Sequence, residues 1–196
     1  MDTTSISTMS EYLRTTLRTV SEGRERKYRT RPEGEARKGG PNFELGVVVR
    51  SIGHLDEHVK TGSGHEFIIS EPVSVGGRDI APWPLEYLLG GALGCFAAVY
   101  AFYASLLDVA YDEFEVTAKT WIDVRGHVIP GAPPSGFQKV ELEIRVVSDA
   151  PLEMLREVER LALAGCPGID TLRSPVPLTS TLVATRASDG HCTAAE

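Results

Sequence analysis

The sequence predicts an α+β fold in which antiparallel strands surround one long buried helix. Three patterns point there. Residues 85–107 are apolar almost all round, which marks a helix buried on several sides. Residues 114–124 and 137–146 alternate apolar and polar side chains, the period of a half-buried strand. Strands and helices do not follow the strand–helix–strand rhythm of a parallel nucleotide-binding sheet.

The elements follow in order. Residues 1–42 form a basic arm, in which Tyr12, Leu13, Leu17 and Val20 give residues 9–22 a weak helical spacing. Residues 23–42 are polar and include Pro32 and Pro41, as in a linker. A domain spans residues 43–187. Its first part holds three short strands, at 45–51, 57–61 and 66–70, separated by Gly53 and by Gly62-Ser63-Gly64. Residues 71–82 are a loop containing Gly76-Gly77-Arg78-Asp79, and Pro84 suits the first turn of the long helix. Small residues there (Gly90, Gly91, Ala92, Gly94, Ala97, Ala98) let another backbone approach, and the paired glycines invite a kink. The two alternating strands are joined by a Gly/Pro loop at 126–136. Asp149 is the expected cap of a helix at 151–163, and a last strand is expected at 176–186. Residues 188–196 are a polar tail with His191 and Cys192.

Charge and composition exclude several classes. The chain carries a formal −7, but residues 11–38 hold nine Lys or Arg against five Glu; an arm of +4 leaves −11 for the rest. An acidic body argues against a nucleic-acid partner, because phosphate binding needs a positive face. No run is apolar and charge-free enough to predict a membrane span, and the polar N-terminus lacks the apolar stretch of a signal peptide. A cytoplasmic protein is expected. Three cysteines are too few for a disulfide framework, and no Cys/His cluster has zinc spacing. His54, His58, His65, His127 and His191 are scattered.

Cys95, in the long helix, and Cys166, in Leu163-Ala164-Gly165-Cys166-Pro167-Gly168, carry most of the chemical information. Brought together, they make a dithiol that cycles with a disulfide and needs no bound cofactor. Left apart, they are two small packing side chains. Cross-linking needs their Cα atoms within ~7 Å.

The residues Phe67-Ile68-Ile69-Ser70-Glu71-Pro72, then Gly76-Gly77, then Pro82-x-Pro84-x-Glu86-x-Leu88-Leu89-x-x-Ala92-x-x-Cys95, then Cys166-Pro167, resemble the OsmC/Ohr family of osmotically inducible and organic-hydroperoxide-resistance proteins. The resemblance covers about residues 45–186. It implies an intertwined homodimer with strands wrapped around a central helix. It also implies a thiol-dependent peroxidase of organic or inorganic peroxides; the apolar residues around Cys95 point to organic hydroperoxides, and a dithiol is the expected reductant. Cys95 would be the attacking thiolate and Cys166 the resolving thiol, with an Arg and a Glu activating the first.

Each role has a chemical requirement. The thiolate is the nucleophile, and a thiol of ordinary pKa is mostly protonated at neutral pH. Burial in an apolar helix opposes ionisation, and a mid-helix position gains little from the helix dipole. Cys95 therefore needs a cation from elsewhere. Arg78, in the Gly-Gly-Arg-Asp loop, and Arg50, in the first strand, are the candidates; otherwise both are surface arginines. Glu86 lies nine residues before Cys95, about half a turn away on a straight helix. In the peroxidases that the sequence resembles, the acid falls one position earlier, at Leu85. Glu86 is then either catalytic through a kink at Gly90-Gly91, or the acid of its own helix's first turn. Cys166 precedes Pro167, and a helical turn over 168–172 would make it an N-cap with a lowered pKa. Leu88, Leu89, Phe96 and Val99 are candidates to line an alkyl pocket, and Trp83 either roofs it or anchors a dimer contact.

Two functional classes remain open: a peroxidase, or a non-catalytic binding protein on the same scaffold, with the arm as a docking segment. A hydrolase is weaker, since the chain has neither a Gly-x-Ser-x-Gly elbow nor a Gly-rich phosphate loop.

Overall fold

The computed structural model describes residues 15–20, 22–23 and 44–184. Expectations for the rest of the arm, for the tail and for Cys192 lie outside the described residues.

Strands β1 (Val47–Gly53), β2 (Asp56–Thr61) and β3 (Glu66–Ser70) form an antiparallel sheet in that order. Its first hairpin turns through three consecutive positive-φ residues, Gly53, His54 and Leu55. The second turn is held by the Thr61 hydroxyl, which accepts the His65 N–H at 3.0 Å. Helix α1 (Pro84–Leu106) follows. Then β4 (Glu113–Ile122) and β5 (Phe137–Val147) form a long hairpin, with the short helix α2 (Arg125–Val128) in its connection. Helices α3 (Leu152–Gly165) and α4 (Pro167–Arg173) close the domain, with Cys166 alone between them.

The core is where α1 meets α3 and the hairpin. Phe96, Tyr100 and Ala104 recur every four residues on α1 and are buried, as are Val158 and Ala162 on α3. The hairpin offers Phe114, Val116, Leu142, Ile144 and Val146 to the same cluster, because its register brings these alternate positions to one face. The three-stranded sheet meets α1 at its beginning: the Tyr87 hydroxyl donates to the Ile68 carbonyl at 2.9 Å, and its ring stacks on Phe67 at 4.7 Å.

Four expectations are corrected. Asp149 does not cap α3; Pro151 holds the N-cap position, and no side chain bonds there. The chain from 175 to 184 is exposed and forms no strand, because among the described residues no neighbouring strand takes up its backbone groups. Helix α1 is long and apolar enough, by length and composition, to cross a membrane, although the sequence reading found no such run. It is also buried on one face rather than several. Leu85 and Leu88 are exposed, while Phe96 and Tyr100 are part of the hydrophobic core. Residues 15–20 and 22–23 are helical, as the spacing predicts, and the Arg18 guanidinium donates to the Ser105 carbonyl in the last turn of α1.

Candidate functional site

The two cysteines remote in sequence are neighbours in the fold. Cys95 lies midway along α1 and is half-buried, and Cys166 is 1% exposed. The two side chains are close enough that Cys95 influences the ionisation of Cys166, and both are free thiols. The contact follows from how α4 begins. Pro167 occupies its first position, where a missing N–H costs nothing, so the chain turns into a helix directly after Cys166. Gly168, one residue further, lies against α1 so closely that a Cβ there would be 3.1 Å from the Cβ of Cys95.

Burial pushes the Cys166 thiol above its ordinary pKa, and the contact with Cys95 adds to that shift. The backbone N–H groups of Ile169 and Gly168 oppose it but do not win. The N-cap position expected for Cys166 is real, and the lowered pKa expected with it is not, because desolvation outweighs two N–H groups of a short helix. Cys166 therefore keeps its proton at neutral pH.

The other expected site residues lie elsewhere in the single chain. Arg78 donates from Nε to the Asp56 carboxylate at 2.5 Å and pairs with it through Nη2 as well. Asp56 is fully buried and also accepts the Ser70 hydroxyl at 2.6 Å, while Ser70 accepts the Ile80 N–H at 3.3 Å. The Ser70 bond, and then Arg78, hold the Asp56 carboxyl below the ordinary carboxylate range against the opposing effect of burial. The network straps the 71–82 loop to β2 and β3. Gly77 completes it, because a Cβ there would run into the Glu71 backbone. Sequence reading picked out Arg78 and missed Asp56, whose only signal was a charge in a strand next to a turn.

Arg50 lies on the exposed strand β1, opposite His58 in register. Among the described residues, neither arginine bonds to Cys95 or Cys166. Glu86 sits in the first turn of α1 and accepts the Trp83 N–H at 2.9 Å, while the Trp83 indole donates to Asp79 at 2.8 Å. This is the helix-start role that was the alternative for Glu86, and Trp83 is tied to the loop ahead of α1. No cluster that could hold a metal ion occurs among the described residues.

The model of the OsmC-like protein family matches residues 76–181, more than half of the chain, including both cysteines. No curated protein matches in sequence. Solved structures with a similar fold include an OsmC-like protein from Mycoplasma pneumoniae (14% identity, TM-score 0.59, covering 67% of this chain and 89% of that one). Another is an organic hydroperoxide resistance protein OsmC from Legionella pneumophila (17%, TM-score 0.52, covering 67% and 90%). A third is an organic hydroperoxide resistance protein from Elizabethkingia anophelis (23%, TM-score 0.51, covering 67% and 89%). At these identities the likeness establishes the fold. With the family match spanning the long helix and both thiols, the chain is a member of the OsmC-like protein family.

Proposed function

We propose that this protein is a thiol peroxidase that reduces organic hydroperoxides through Cys95 and Cys166. The observation that carries the reading is the closeness of these two thiols, with Cys95 packed against the buried cluster that holds Cys166 and the start of α4 pressed onto α1. The names of the Legionella and Elizabethkingia relatives support the substrate class.

In this reading the Cys95 thiolate attacks the outer oxygen of ROOH. The O–O bond breaks, ROH leaves with a proton, and Cys95 becomes a sulfenic acid. Cys166 then attacks that sulfur, water leaves, and a Cys95–Cys166 disulfide remains. An external dithiol reduces the disulfide by exchange and resets the pair. Cys95 is the sulfur that meets substrate because it is half-buried, whereas Cys166 is enclosed and protonated. The dithiol requirement makes a reducing compartment such as the cytoplasm part of the proposal.

The cation for Cys95 comes, in this proposal, from a second copy of the chain. Apolar surface supports a homodimer: Val47, Val48 and Val49 on β1, and Leu85 and Leu88 on α1, are all exposed in the single chain. Arg50, on that same open strand, is the guanidinium such a dimer could deliver. Arg78 would first have to leave Asp56.

A second reading, a non-catalytic binding protein on the same scaffold, is favoured by one observation. Arg78 is engaged by Asp56, and Glu86 by the start of its helix. Stopped-flow mixing with cumene hydroperoxide separates the two. The peroxidase reading expects rapid loss of the Cys95 thiol, abolished in Cys95→Ser. Persistence of that thiol under excess peroxide would establish the second reading instead.

A further inference from the structure

We infer that Gly168 is a positioning residue, holding the Cys166 turn against α1 so that the disulfide closes quickly once Cys95 is oxidised. The inference rests on the peroxidase reading for its substrate, and on packing for its geometry.

Glycine is a poor helix former, yet Gly168 lies in the first turn of α4. Its φ is not in the left-handed region, so backbone conformation does not call for glycine. Space does. A Cβ at 168 would stand 3.0 Å from the Ala92 Cα, 3.1 Å from the Ala92 carbonyl oxygen and 3.1 Å from the Cys95 Cβ. Two of these three atoms belong to the backbone of α1 and the third is the root of the reacting side chain, so none can rotate away. A methyl group would have to lift the start of α4, and Cys166 is two residues before it. Gly165, on the other side of Cys166, makes a useful contrast. The three nearest atoms to a Cβ there, at 2.6 to 3.2 Å, all belong to the ring and hydroxyl of Tyr103, the far end of a side chain that can move aside without shifting the backbone of α1.

The step that Gly168 serves is the second one: the Cys166 sulfur attacks the Cys95 sulfenic sulfur, the S–S bond forms, and oxygen departs as water. A displacement of a few tenths of an ångström slows such a step, because attack depends on a near-contact geometry. It has far less effect on the first step, in which Cys166 takes no part.

The test uses the full chain as wild type, Gly168→Ala, Gly168→Val and the control Gly165→Ala. Each is mixed with cumene hydroperoxide in the presence of dimedone, which traps sulfenic acid, and products are weighed by intact mass spectrometry. The expected result is graded. Disulfide closure slows about fivefold or more in Gly168→Ala and further in Gly168→Val. The dimedone adduct rises in step, while loss of the Cys95 thiol changes much less and Gly165→Ala stays close to wild type. Closure in Gly168→Ala at the wild-type rate overturns the inference.

Diamide, which joins neighbouring thiols without any peroxide, separates this failure from that of the peroxidase reading. If peroxide leaves Cys95 untouched in every protein but diamide cross-links Gly168→Ala more slowly than wild type, the peroxidase reading fails and the positioning role stands. Equal rates with diamide overturn the positioning role. If the Gly168 variants do not fold, a glutathione titration of the wild type replaces them. Effective concentrations of Cys166 toward Cys95 far above the millimolar values of flexible tethers are expected, and a millimolar value contradicts the inference.

Discussion

The carboxylate of Asp56, fully buried on β2, holds the guanidinium of Arg78 across 21 intervening residues and fixes the loop that leads into the Cys95 helix. The pair is anchored further by Ser70, which donates to the same carboxylate. A buried charge whose partner is removed is costly, so this network stiffens the approach to α1.

Asp56→Ala takes the 2.6 Å acceptor from the buried Ser70 hydroxyl and unties Arg78 from β2, so it should destabilise the protein, lowering Tm by about 5 °C or more. Differential scanning calorimetry checks this. The effect has a pH signature. The Asp56 carboxyl is held below its ordinary 3.8. The unfolded chain binds a proton there before the folded one does, so the stabilisation is complete above the ordinary value and is lost as pH falls through the lower, folded value. The Tm gap between wild type and Asp56→Ala should stay constant from pH 7 to about 5 and shrink below about 4.

Glu86 gives a sharper discrimination. Its carboxylate accepts the Trp83 N–H and sits at the positive end of α1. Glu86→Ala should cost about 1 kcal/mol of stability, in the range of a lost cap. Glu86→Gln keeps an acceptor, so it should recover most of that stability and leave the rate of Cys95 oxidation within about twofold, since an exposed helix start gains only a fraction of a kcal/mol from charge. A large loss of peroxide reactivity in the Gln variant, with stability intact, would instead return Glu86 to the catalytic group.

The thiols should differ in reactivity. Cys166 is enclosed, and burial raises its pKa above the ordinary 9.0. Iodoacetamide at pH 7.5 should modify Cys95 at least tenfold faster than Cys166, read by peptide mass mapping. The linkage runs opposite to that of Asp56. The folded state keeps the Cys166 proton longer than the unfolded chain, so this contribution is present below the ordinary thiol value and lost as pH rises through the higher one. Wild type should therefore lose stability above about pH 9 faster than Cys166→Ser.

Much of the architecture was legible because it is local. The alternation in 114–124 and 137–146 is the period of the hairpin, and turn residues fall between β1, β2 and β3 where glycines bend the chain. Pro167 after Cys166 signalled a helix start, and α4 begins there. What depended on distant partners was not legible. The 176–186 pattern reads as a strand, yet a strand exists only beside another, and among the described residues no strand pairs with residues 175–184. Arg78 was chosen for its charge, but its partner was set by a buried Asp56 that the pairing of β2 with β3 places opposite Ser70, at the start of the loop carrying Arg78. The N-cap argument for Cys166 found the right geometry and the wrong sign, since sequence does not display how completely a side chain is enclosed.

The most direct test of the central claim is peptide mapping after one equivalent of cumene hydroperoxide is added to the reduced protein. The account predicts a single cross-linked pair of peptides, one containing Cys95 and the other Cys166, lighter than their sum by two hydrogens. Cys95 oxidised further without a cross-link, or both thiols recovered unchanged, would contradict it.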